Sequence, residues 1–146
     1  MYAGIEINFD TSFYYTRKSK NTYMAFAFDS NLDQTFLESL YGDDFQYAQE
    51  VFEGFLVETK TEFEGIKNDF RQNALKNMRQ KLHKIKPTFS FVGLTALSEK
   101  TEIIIAACDA SSSTSEIETG CSALFKEIEN SFVLIENELM RMRNRN

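Results

Sequence analysis

An apolar stripe runs without a break through Leu75, Met78, Leu82, Ile85, Phe89 and Val92, in alternating steps of three and four. Successive side chains on an α-helix are turned by about 100°, so these steps return to one face, whereas a strand would scatter them over both. The segment reads as an amphipathic helix, and a helix with one apolar stripe needs another surface to cover it.

The same spacing recurs elsewhere. Phe45, Ala48, Phe52, Phe55, Thr59, Phe63 and Ile66 share one face of a helix predicted from residue 43 to about 67, with Gly42-Asp43-Asp44 as its negatively charged start. A third predicted helix begins near Gly93 and turns Leu94, Leu97, Thr101, Ile104, Ile105 and Cys108 inward, ending before the turn-like Asp109-Ala110-Ser111-Ser112-Ser113. A fourth runs to about residue 142 with Ile117, Cys121, Leu124, Ile128, Phe132, Ile135, Leu139 and Met142 inward, and Ser115 and Glu118 have the spacing of a capping box at its start. A short helix over residues 31–40 completes the set, with Ser30 as its expected cap, Asp33 in its first turn and Leu32, Phe36, Leu37 and Leu40 apolar. Pro87 is the only proline, so little interrupts these helices.

Four long amphipathic helices on short connections can cover their stripes only by packing on one another. The expected fold is therefore all-α, an antiparallel four-helix bundle with a short N-terminal helix, occupying residues 29–146 as one domain. Residues 1–28 differ, holding eight Phe or Tyr and alternating stretches such as Ile5-Glu6-Ile7-Asn8-Phe9. This aromatic segment reads either as a hairpin turning near Lys18-Ser19-Lys20-Asn21 or as an irregular arm packed on the bundle.

Composition narrows the classes. Hydrophobic residues make up 42% and charged residues 26%, the balance of a globular protein rather than a disordered one. The longest apolar run, Ile103 to Cys108, is far short of the roughly 20 residues that span a bilayer, and Met1-Tyr2-Ala3-Gly4-Ile5-Glu6 lacks the basic and apolar regions of a signal peptide. A cytoplasmic protein without membrane insertion is expected. The net charge of −6 argues against nucleic-acid binding, and the short basic tail Arg141-Met142-Arg143-Asn144-Arg145 is read as favourable charge at a helix C-terminus. Cys108 and Cys121 fall on apolar helix faces and are expected as reduced core residues; no metal ligands are nominated.

The chain has one histidine, His83, rotated about 100° from the stripe member Leu82 and so expected beside the buried seam with some exposure. Arg79 and Gln80 lie one turn before it, Lys86 and Pro87 one turn after, and Lys84 is adjacent. By spacing alone, a lone histidine among cations is more often a solvated position than a reactive one. The string Leu82-His83-Lys84-Ile85-Lys86-Pro87-Thr88-Phe89-Ser90-Phe91-Val92-Gly93-Leu94-Thr95-Ala96-Leu97 changes that weighting. It resembles the signature of histidine-containing phosphotransfer (HPt) domains, in which His-x-hydrophobic-Lys-Gly is followed by a glycine ten positions after the histidine and a leucine four beyond. His83, Ile85, Lys86, Gly93 and Leu97 match, and the likeness covers roughly residues 30–140. Pro87 departs from it, standing where the family usually has glycine, and should kink the helix just beyond His83.

The resemblance implies a phosphorelay intermediate of a two-component system. His83 would accept a phosphoryl group from a receiver-domain aspartate and pass it to another receiver, a covalent route that suits an imidazole largely neutral near pH 7. Lys86 is the first candidate to stabilise charge on the phosphoryl oxygens, with Lys84, Arg79 and Gln80 behind it. Pro87 and Ser90 would keep the approach free of long side chains, Phe91 would offer an apolar contact or be buried, and Gly93 would end the helix. The implied partners are response-regulator receiver domains and a hybrid sensor kinase. Mg²⁺ is expected on the receiver, with no cofactor on this chain. No Gly-rich phosphate-cradling motif is present, so ATP-dependent kinase activity is not expected. The alternative is a docking module that binds a receiver or kinase without relaying phosphate, to which Pro87 gives weight.

Overall fold

The computed structural model describes residues 26–145, all helix and connecting turns with no strand among them. Most of the aromatic segment, including the hairpin read at residues 18–21, lies outside the described residues. Five α-helices follow in order, α1 Gln34–Tyr41, α2 Phe45–Arg71, α3 Leu75–Phe91, α4 Thr95–Ala110 and α5 Glu118–Asn144, with a 3₁₀ turn, Thr114–Ile117, before the last. None is long and apolar enough to cross a membrane.

Contacts between neighbouring helices run in opposite senses along the chain, as short connections require. Thr59 of α2 meets Thr88 of α3 while Asp69 meets Lys81; Lys86 of α3 meets Glu102 of α4 while Arg79 meets Asp109. Lys60 of α2 likewise pairs with Glu136 of α5, and Glu53 with Arg143 further along. The core fills the centre of this bundle with fully buried Phe52, Phe55, Phe63, Leu82, Phe89 and Ile135. Its rings meet largely edge to face, Phe55 on Phe89 and Phe63 on both Phe125 and Phe132, the arrangement their quadrupoles favour. Cys108 and Cys121 are buried and unbonded to each other, as expected.

Helix ends are where the structure departs from the sequence reading. Asp44 caps α2 as its acidic start suggests, accepting from the Tyr47 N–H. The cap of α1 is Asp33, not Ser30: a turn from the Leu32 N–H to the Asp29 carbonyl draws Leu32 into the core and moves the helix start onward, so that Asp33 accepts from the Phe36 N–H. The expected Ser115–Glu118 capping box does not form. Asn73 Oδ1 accepts from both the N–H and the hydroxyl of Thr114, pinning residues 114–117 as the 3₁₀ turn, and Ile117 stands at the cap of α5 without a side-chain bond. α2 runs past residue 67 because Asp69, a polar residue on its inward face, is buried and held by Lys81 Nζ at 2.5 Å.

Two devices fix the end of the bundle that holds the chain's N-terminal side. Gly93 ends α3 at φ 82° with its carbonyl accepting from the Asp33 N–H, and a Cβ there would lie 2.7 Å from Leu37 Cδ1. The basic C-terminal turn of α5 does more than complement a helix dipole. Arg141 stacks on Phe26, donates to the Ala27 carbonyl and pairs with Glu138, whose buried carboxylate also accepts from the Asp29 N–H. Phe26 and Phe28 are thereby held against Phe45 and Phe52.

Candidate functional site

α3 carries Lys76, Arg79, Lys81, Lys84 and Lys86 and no acidic residue, within a chain whose net charge is −6. Met78, Leu82, Ile85 and Phe89 bury its inner stripe, and helical periodicity leaves Lys76, Gln80, His83 and Pro87 along the outward crest. His83 is exposed, and it makes no hydrogen bond or ion pair with any described residue. The imidazole is thus accessible halfway along an all-basic helix.

The cations beside it are all engaged by carboxylates of the adjoining helices. Lys84 turns to α2, where its Nζ lies 2.9 Å from Glu62. Lys86 and Arg79 turn to α4: Lys86 Nζ is 3.1 Å from Glu102, and the Arg79 guanidinium bonds both oxygens of Asp109 at 3.0 and 3.4 Å. Gln80 is exposed beside His83 and Ser90 is half-buried two turns on. The structure brings the sequence-predicted residues onto one surface, with His83 on the crest, Lys84 on its α2 flank and Arg79 and Lys86 on its α4 flank.

Pro87 is exposed, and α3 continues beyond it to Phe91, so the expected kink does not end the helix. Proline supplies no N–H to the His83 carbonyl, four residues before it. Hydroxyl groups add donors around the break: Thr88 Oγ1 donates to the Ile85 carbonyl at 2.6 Å, and Ser98 Oγ of α4 to the Lys86 carbonyl at 3.3 Å. Phe91 is half-buried against the core rather than free on the surface. Together with Val57, Pro87 and Thr88 it lines a groove between α2 and α3, directly beside Lys84.

Chemically, the arrangement offers an unencumbered nitrogen nucleophile and cations within one turn of it. Exposed ion pairs are worth about 0–1 kcal/mol, so an incoming dianion can take Lys86 or Lys84 from its carboxylate at small cost. Among the described residues no group of three or more His, Cys, Asp or Glu side chains is placed to hold a metal ion. The engaging carboxylates Glu62, Glu102 and Asp109 are the residues that sequence reading missed. A signal for two of them was present: Lys86 and Glu102 each stand eight residues from Leu94, and Arg79 and Asp109 each fifteen, the register of a tight antiparallel helix pair.

No protein-family model matches the chain, and neither a curated protein nor a solved structure matches it.

Proposed function

We propose that this protein is a phosphorelay intermediate that carries a phosphoryl group on His83 between receiver domains. The observation that carries the reading is the exposed His83 imidazole, without a partner among the described residues, at the middle of a helix whose five charged side chains are all basic. A neutral ring nitrogen attacks the phosphorus of a receiver's aspartyl phosphate, the P–O bond to the carboxylate breaks, and the carboxylate leaves as an anion. A second receiver's aspartate reverses these steps, forming the P–O bond and releasing the ring nitrogen. Cations near the phosphoryl oxygens lower the barrier by electrostatics and positioning, the main tools of phosphoryl transfer. The groove lined by Val57, Pro87 and Phe91 gives a partner an apolar surface beside the histidine.

The test is incubation with ³²P-labelled receiver domains from the same organism. Base-stable, acid-labile label should appear on the wild-type chain and be absent from His83→Gln. Receiver binding without label would instead favour the docking reading, which Pro87 supports through the backbone donor that it removes beside the acceptor.

A further inference from the structure

Lys86 is the cation best aimed at a group on His83. Side chains on a helix lean toward its N-terminus, so Lys86, three residues on, leans back over the turn that holds His83. Arg79 leans away from it, and Lys84 is rotated about 100° toward α2. Yet the Lys86 ammonium is committed to Glu102 of α4, at 3.1 Å across the helix interface, and the Glu102 side chain is 55% exposed. Ser98, one turn before Glu102, also donates to the Lys86 carbonyl at 3.3 Å. α4 thus grips Lys86 at both its backbone and its side chain.

We propose that Glu102 is a positioning residue that holds Lys86 in reserve, so that the cation reaches the phosphoryl oxygens only by exchanging this carboxylate for the incoming anion. The inference rests on the phosphotransfer reading of His83 and adds a residue to it. Because the pair is open to solvent on its Glu102 side, its strength caps what release can bring, and an exposed pair is worth up to about fivefold in an equilibrium or rate. Glu102 thereby tunes the rate of loading without blocking it.

The test uses a small donor, so that it stands apart from receiver recognition. With phosphoramidate, a ring nitrogen of His83 attacks phosphorus, the P–N bond to the donor breaks, and ammonia leaves with a proton from the medium. Phosphorylation of the full chain is followed by ³¹P NMR at low ionic strength for wild type, Glu102→Gln, Lys86→Gln and the double variant. Glu102→Gln should react about two- to fivefold faster than wild type, and that gain should vanish in the Lys86→Gln background. Glu102→Asp, which keeps the charge on a shorter stem, should restore part of the wild-type rate. Equal rates for wild type and Glu102→Gln would overturn the proposal, as would a gain that persists without Lys86, since that would be a field effect of one lost charge. Flat rates with His83 still labelled leave the relay reading standing, whereas normal gating with no transfer from any receiver removes the relay and keeps the gate.

Discussion

Replacing Pro87 by alanine should make the protein more stable, although the residue stands at the candidate site. Proline inside a helix costs about 3 kcal/mol relative to alanine, through the lost hydrogen bond and the clash with the preceding turn. Pro87 is an interior residue of α3, four short of Phe91, and its ring is exposed, so no core contact offsets that cost. One effect reduces it: proline restricts the unfolded chain, which is worth about 0.4–1 kcal/mol. A net gain of about 2 kcal/mol follows for Pro87→Ala, and about 1 kcal/mol less for Pro87→Gly, because glycine gives back roughly that much in a helix. With a urea dependence of about 2 kcal/mol per molar for a domain of this size, the alanine variant's midpoint should rise by about 1 M when unfolding is followed by circular dichroism at 222 nm. The order should be alanine, then glycine, then proline. An unmoved or lowered midpoint for Pro87→Ala would refute the reasoning, since it would mean that the helix bends to make the proline favourable.

Three further outcomes are expected. Gly93→Ala should destabilise by about 2 kcal/mol or more in the same assay, because a side chain at φ 82° is strained and its Cβ would meet Leu37 Cδ1 at 2.7 Å and Leu32 Cβ at 2.9 Å; a loss under about 0.5 kcal/mol would contradict that crowding. Glu138→Ala should cost about 2–3 kcal/mol, by removing a buried carboxylate that holds Arg141 and the Asp29 amide, and amide exchange at Asp29 should quicken; unchanged protection there would show that the segment is held without Glu138. Burial, with a smaller contribution from Cys108, lifts the Cys121 thiol from 9.0 to about 11, so the folded state binds that proton more tightly than the unfolded one. The corresponding stability is complete below the unfolded value near 9.0 and is lost as pH rises toward about 11; the decline over this range should be shallower in Cys121→Ala, and parallel curves would sink the argument.

The helices were legible because each rests on a local signal that repeats. The stripe from Leu75 to Val92 and that from Phe45 to Ile66 bury the residues that their spacing selects. Gly93 was legible for a similar reason, since a single glycine after a long periodic run marks a place where the chain must turn. The caps of α1 and α5 were not, because each was decided by something distant in sequence. Ser30 lost to Asp33 once Leu32 was needed in the core, and Ser115 lost its cap once Asn73, 41 residues before Thr114, bonded Thr114. Glu138 was invisible for the same reason: on a helix wheel it is one more acidic residue, and its bond to the Asp29 amide, 109 residues away, joins the Arg141 pair in answering the buried carboxylate.

The electrostatics of α3 carry that distinction into the candidate site. Read along the chain, five basic side chains around one histidine describe an electropositive surface that would attract any anion. Folded, four of the five are answered from two neighbouring helices, Lys84 by Glu62, Lys81 by Asp69, Lys86 by Glu102 and Arg79 by Asp109. Such a surface has little net field to draw anions from a distance, and field rather than contact is what long-range steering requires. What it keeps is local: Lys86 and Arg79, whose partners Glu102 and Asp109 are exposed, available to an anion already delivered beside His83. Such a surface offers little attraction to free phosphate in bulk, and on the proposed reading that favours a phosphoryl group brought into contact by a docked partner, the selectivity that a carrier between two proteins would need.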